Sequence, residues 1–323
     1  MPDNQYTYAV ARIRSKELSL LTRQDLEQMM SLKSYEECMR FLADKGWGAG
    51  ESGLSAEALL SLELERTWAL VRELVGDAPE LDVFLYKNDY HNLKVAIKSV
   101  LTGAEPERLY LPDGTVEAGV FTKAVREHDF ALLPEAMRIP AQEAYDVLLR
   151  AHDGQLCDVI LDRAALSAIE TAGAKTGVPM LSRYAELVVA AADIKIAVRA
   201  AKTGKPAAFY NRALAPCRTL DVGALASAAR KGGEELAHYL MRTEYAGAAE
   251  ALQNSPSAFE KWFDDRLMEL ITDQKSNPFT IGPVAAFLLA RENEIKTVRI
   301  LLSGKLNGLS ETSIRERLRE MYV

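Results

Sequence analysis

The side chains able to do acid–base or metal chemistry are sparse and poorly grouped. Three carboxylate pairs occur, Glu36-Glu37, Glu234-Glu235 and Asp264-Asp265. Such pairs can share a proton or hold a divalent cation, but each lies in a mixed-charge stretch that reads as a solvated helix face. Asp264-Asp265 also lacks the third carboxylate of a D-D-x-x-D arrangement. His91, His128, His152 and His238 show no H-x-x-x-H or H-E-x-x-H spacing, and Cys38, Cys157 and Cys217 form no C-x-x-C pair. The cysteines therefore read as free thiols of an interior protein. Ser182, Ser303 and Ser310 lack a G-x-S-x-G frame, and no G-x-x-x-x-G-K-[ST] or G-x-G-x-x-G cradle for phosphates is present. Gly232-Gly233 reads as a break between helices. The expectation is no catalytic residue, no cofactor and no metal.

The elements that would position any site are helices. Ala, Leu, Glu, Lys and Arg fill the segments between a few Gly and Pro stops, and Val and Ile do not alternate as in strands. Thr22 with Asp25, and Ser34 with Glu37, have capping-box spacing, and Gly46 stops the second of these helices. Tyr6, Val10, Ile13, Glu17 and Leu20 share one face of a 3.6-residue period. Pro283 suits a first helical turn, and Val284, Phe287, Leu288, Ile295, Val298 and Leu302 form a stripe beyond it. Trp47, Trp68 and Trp262 read as core.

Composition bounds the function classes. The 323 residues are 48% hydrophobic, enough for two or three cores, and carry a net charge of −7. An acidic balance without a Lys/Arg block argues against nucleic acid as a partner. No apolar run reaches the ~18 residues of a membrane span, and the first residues have no secretory layout. A soluble, unexported protein is expected.

Internal repetition is the most informative feature. NLKVAIKSVLTG (Asn92 to Gly103), DIKIAVRAAKTG (Asp193 to Gly204) and NEIKTVRILLSG (Asn293 to Gly304) align without a gap, their glycines 101 and 100 residues apart. Asn92/Asp193/Asn293, Lys98/Arg199/Arg299 and Gly103/Gly204/Gly304 coincide. About forty residues upstream, acidic-Arg pairs recur as Glu65-Arg66, Asp162-Arg163 and Asp265-Arg266. The anchors read as helix ends, with a cation facing the negative pole and glycine closing in the left-handed conformation; Pro106 and Pro206 block continuation. Repeats of ~100 residues are too long for a solenoid. The expected fold is all-α, with three homologous helical modules at 1–104, 105–205 and 206–323 in a pseudo-threefold body around a central opening.

YAVARIRSKELSLL (Tyr8 to Leu21), DYHNLKVAIK (Asp89 to Lys98) and ENEIKTVRILLSGKLNGLSETSIRERL (Glu292 to Leu318), with the terminal Tyr322-Val323, resemble the C subunit of A/V-type rotary ATPases, the family that includes the d subunit of eukaryotic V-ATPases. The resemblance runs along the full chain; the second module carries the weakest motif. It implies a funnel-shaped, non-catalytic rotor adaptor that couples the D and F subunits of the central stalk to the membrane proteolipid ring, for ATP-linked proton or sodium transport. Association would be peripheral, through protein contacts on the cytoplasmic face of the membrane. Arg12, Arg14, Glu17 and Lys305 are the charged positions inside the motifs that could contact partners or form internal ion pairs. The alternatives are an all-helical enzyme with its active site in a central cavity, or a general helical scaffold.

Overall fold

The computed structural model describes residues 4–51 and 53–323. Among them are sixteen α-helices and no strand. In chain order these are α1 (Thr7–Glu17), α2 (Arg23–Ser31), α3 (Tyr35–Asp44), α4 (Ala56–Val75), α5 (Tyr86–Thr102), α6 (Ala118–Arg126), α7 (Glu135–Ala151) and α8 (Gly154–Lys175). There follow α9 (Pro179–Lys202), α10 (Ala207–Ala213), α11 (Val222–Lys231), α12 (Gly233–Leu240), α13 (Ala246–Asn254), α14 (Pro256–Thr272), α15 (Gly282–Leu306) and α16 (Glu311–Arg315).

Local chemistry sets the boundaries. Thr22 accepts from the Asp25 amide while the Asp25 carboxylate accepts from the Thr22 amide, a complete capping box. Ser34 caps α3 through the Glu37 amide, but the Glu37 carboxylate reaches back to the Lys33 amide instead, 2.7 Å away. Gly46 takes φ 86° just past α3, as expected of a residue that ends a helix.

By internal contact the chain forms two compact units, Met1–Ala78 with Glu250–Val323, and Pro79–Ala249. The first is organised on α15, which packs against α1, α3, α4, α14 and α16. Its core joins Leu21, Met29, Met30, Cys38, Leu42, Trp47 and Leu60 to Ile295, Val298, Leu301 and Leu302 of that helix. The expected stripe from Val284 to Leu302 is buried, and Val10, Ile13 and Leu20 are buried too. Trp47 and Trp68 are core; Trp262 is only half-buried.

The second unit is organised on α8, against which α5, α7, α9 and α10 pack. Leu93, Ile97, Phe121, Ala141, Ala144, Cys157 and Leu161 lie in its core. Pro140 interrupts α7 and supplies no N–H to the carbonyl of Ala136 one turn back. The Tyr90 hydroxyl donates to that carbonyl at 3.4 Å, so a side chain of α5 occupies the place of the lost main-chain bond.

Two expectations are corrected. Gly103 and Gly204 do close helices in the left-handed region, at φ 66° and 61°. Gly304 does not: α15 continues to Leu306, and Gly308 at φ 64° takes the closing conformation. Gly304 is required by packing instead, because a Cβ there would lie 2.5 Å from Cγ1 of Ile314 on α16. Asp264 is the second correction. Rather than facing solvent, it is 4% exposed and accepts from Lys296 Nζ at 2.8 Å and Arg319 Nε at 2.9 Å.

Candidate functional site

The repeat frame places its polar residues inside the protein. Asn92, Asp193 and Asn293, the first residue of each aligned segment, are all buried in long helices, α5, α9 and α15. Each holds the main chain of a later segment. Asn92 donates to the carbonyl of Leu111 at 3.0 Å and accepts from the Leu111 amide at 2.8 Å. Asp193 accepts from the Ala215 amide at 3.0 Å. Asn293 donates to the carbonyl of Glu320 at 2.8 Å. The same helical position thus ties its helix to later main chain three times, at the buried Ala215 and at the exposed Leu111 and Glu320.

A buried carboxylate reinforces the clamps of α5 and α9, while that of α15 holds main chain at Leu21 instead. On α5, Asp89 accepts from the Thr115 amide and hydroxyl at 3.0 and 2.7 Å and from the Val116 amide at 3.3 Å. Burial pushes its carboxyl above the ordinary range, partly offset by these donors. On α9, burial also disfavours the charged Glu186, but the Thr219 donors at 2.6 and 2.7 Å and Arg218 at 3.1 Å outweigh it and hold the carboxyl low. On α15, Glu294 accepts from the Leu21 amide and from Arg291, yet burial still pushes it up. Arg291 also lies over the Trp47 ring, 5.5 Å from its centroid.

The anchor cations serve the same construction. Lys98 pairs with Asp158 on α8 at 2.6 Å, and Arg299 with Glu57 on α4 at 2.9 Å. Arg199 is exposed. Of the charged positions in the outer motifs, Arg14 contacts Glu17 at 2.7 Å and donates to the carbonyl of Gln274 at 2.5 Å, and the Tyr322 hydroxyl donates to Glu17 at 3.2 Å. Lys305 donates to the carbonyls of Met30 and Leu32 at 2.6 and 2.5 Å, closing α2. Arg12 is the most open of the four: its side chain is 40% exposed, bonded to the Tyr8 hydroxyl at 2.8 Å and 4.0 Å from Glu73.

A cavity of about 840 Å³ in the second unit is lined by Tyr86, Tyr90, Pro140, Arg163, Lys175 and Arg212 among others. Glu143 at its wall is paired with Arg212, and the hydroxyls of Ser167 and Thr171 have no histidine beside them in the lining. Among the described residues no three His, Cys, Asp or Glu side chains converge to hold a metal ion, and no helix is long and apolar enough to cross a membrane.

Sequence reasoning missed the three buried carboxylates Asp89, Glu186 and Glu294. Their signal was present in Asp89 and Glu294, which sit inside the motifs DYHNLK and ENEIK; Glu186 carries no such mark.

The chain is similar in sequence to known proteins over nearly its whole length. The chain is 25% identical over 317 residues to the C subunit of the V-type sodium ATPase of Enterococcus hirae, covering 96% of this chain and 97% of the relative. The C subunit of the V-type ATP synthase of Thermus thermophilus is 23% identical, covering 98% of both chains. The C subunit of the A-type ATP synthase of Methanocaldococcus jannaschii is 25% identical, covering 97% of this chain and 86% of the relative. The model of the ATP synthase (C/AC39) subunit family matches residues 9–317, nearly the whole length, and the chain belongs to that family.

Proposed function

We propose that the protein is the non-catalytic central rotor adaptor of a V/A-type ATPase, seated between the D/F central stalk and the membrane proteolipid ring and transmitting torque for ATP-linked proton or sodium transport. The observation that carries this reading is the collinear family match from residue 9 to 317, with relatives covered almost end to end. The internal construction suits the role. A torque coupling must not yield, and here the long helices are tied to distant main chain by buried, hydrogen-bonded side chains within close-packed cores.

The recurrence of the Asn92, Asp193 and Asn293 clamps in one frame supports three homologous modules, 1–104, 105–205 and 206–323. Of the charged motif residues, Arg12 is left most open for a partner, whereas Arg14, Glu17 and Lys305 are engaged inside the protein. Peripheral attachment at the cytoplasmic membrane face through protein contacts follows from the proposed partners.

The test is reconstitution. Membranes stripped of this protein regain ATP-driven ion pumping when the purified chain is added, and the chain co-sediments with ring-containing membranes and with the D and F proteins of the stalk. Failure to bind and failure to restore pumping together overturn the assignment.

A further inference from the structure

Asp193 departs from its two repeat counterparts in one atom. Asn92 and Asn293 each present an amide nitrogen that donates to a main-chain carbonyl. At Asp193 an oxygen stands in place of that nitrogen. The side chain is fully buried in α9; Oδ1 accepts from the Ala215 amide, while Oδ2 is buried with no hydrogen-bond partner. An ionised carboxylate in such a place leaves half of its charge without a donor, which a closed protein interior does not tolerate. A protonated carboxyl removes the charge: its carbonyl oxygen accepts from Ala215, and a neutral hydroxyl at Oδ2 costs far less there than an ionised oxygen.

The surroundings offer little counter-charge. From α8 the charged group that reaches Asp193 is Arg163, whose guanidinium acts on it at a distance without a hydrogen bond, and from the segment after α10 the Cys217 thiol faces it. On α9 itself, Glu186 lies two turns away and is spoken for by Thr219 and Arg218. Burial outweighs both the Ala215 amide and Arg163, and the carboxyl is pushed up to about 7.

We propose that Asp193 is held as the neutral carboxylic acid, at the position where the other two repeats carry a neutral amide, and that its ionisation is a pH-sensitive weak point at which the turn carrying Ala215 to Thr219 loosens from α9. Relief of the charge requires either water or the Arg163 guanidinium to reach Oδ2, and each needs the packing around α9 to open. The sign follows from proton linkage. The folded protein keeps a proton that the unfolded chain has already lost above its ordinary value of 3.8, so stability declines as pH rises from there to about 7 and is level beyond.

The experiment compares the full chain with its Asp193→Asn variant by thermal melting between about pH 5 and about pH 8, with the Asp193 Cγ resonance of the wild type followed over the same range. Asp193→Asn restores the amide of the sister positions and removes the titration. The expected result is a variant that melts above the wild type by a margin that widens toward the alkaline end, and a Cγ resonance that titrates near neutrality. Parallel melting curves, a variant less stable at both ends, or a resonance already ionised at about pH 5 would each overturn the proposal. If the variant does not fold, the wild-type resonance decides alone. None of these readouts involves the ring or the stalk, so the outcome is independent of the proposed function.

Discussion

Ile314 lies directly over Gly304: a Cβ on the glycine would come within 2.5 Å of Ile314 Cγ1 and 2.7 Å of its Cδ1. The short helix α16 is therefore seated on α15 at a place where only the absence of a side chain leaves room. Gly304→Ala should destabilise the protein by ~1–3 kcal/mol despite the better helix propensity of alanine, through overpacking. Measured by urea denaturation, most of that loss should vanish in the Gly304→Ala variant of an Ile314→Ala background. Equal costs in both backgrounds would mean that Ile314 is not what the methyl group meets.

The aligned glycines show how far the sequence can be read. Nearly equal spacing marked Gly103, Gly204 and Gly304 as one feature, and as a repeat register they are. Their physical roles differ because the third helix runs on by two residues and meets a neighbour that belongs to a later segment. Local signals were legible wherever the partner is local, as with Thr22 and Asp25. They were not legible where the partner is far away in sequence: Lys305 reaches Met30 and Leu32, and Asp264 is buried by Lys296 and Arg319. The clamps fall between these cases. The Asn/Asp/Asn column was visible in the repeat, but nothing in it said that those positions face inward to hold main chain, and for the same reason the sequence left Arg14 and Lys305 open between partner contacts and internal ion pairs.

Arg291 and Glu294 form a buried pair beneath Trp47. Deleting one partner strands the other charge, so Glu294→Ala should cost ~3–5 kcal/mol. Adding Arg291→Met removes the stranded cation and should recover a large part of the loss. Chemical denaturation of the two variants checks this; a double variant no more stable than Glu294→Ala would show that the lost Leu21 contact, not the unpaired arginine, is the main cost.

Asp25 supplies the acid-sensitive counterpart to Asp193. Burial, the largest single effect, raises its carboxyl, but Lys45 at 2.6 Å and the Thr22 donors together outweigh this and hold it below the ordinary 3.8. With a folded value below the unfolded one, its contribution is present above the unfolded value and lost as pH falls through the folded one. Asp25→Ala should cost ~1 kcal/mol at neutral pH, as a lost cap does. The gap from wild type should shrink as the solution is acidified below that range, read from denaturation midpoints; a gap that does not change in acid rules out the ionised cap.

Tyr90 and Pro140 make a coupled pair through the carbonyl of Ala136. Tyr90→Phe should cost ~1 kcal/mol because that carbonyl loses its donor. In a Pro140→Ala background the residue at 140 regains an N–H able to reach the same carbonyl, so removal of the hydroxyl should cost much less. A double-mutant cycle measures the difference directly; additive costs would mean that the hydroxyl does not stand in for the missing helix bond.

Arg12 and Lys305 separate an interface from a fold. Both are cations in the motifs that resemble the family, but Lys305 spends two donors on the carbonyls that end α2, whereas the Arg12 side chain is 40% exposed and bonds mainly to the neighbouring Tyr8. Lys305→Met should lose ~1–3 kcal/mol of stability by leaving those carbonyls without their cation. Arg12→Glu should change stability by no more than about 0.5 kcal/mol, as surface substitutions do, while weakening reassembly onto stripped membranes, because reversing a charge at a contact costs complementarity. Melting curves and the pumping restored per mole of added protein distinguish the two. An Arg12→Glu chain that reassembles as well as the wild type removes Arg12 from the interface and turns the search toward other exposed cations.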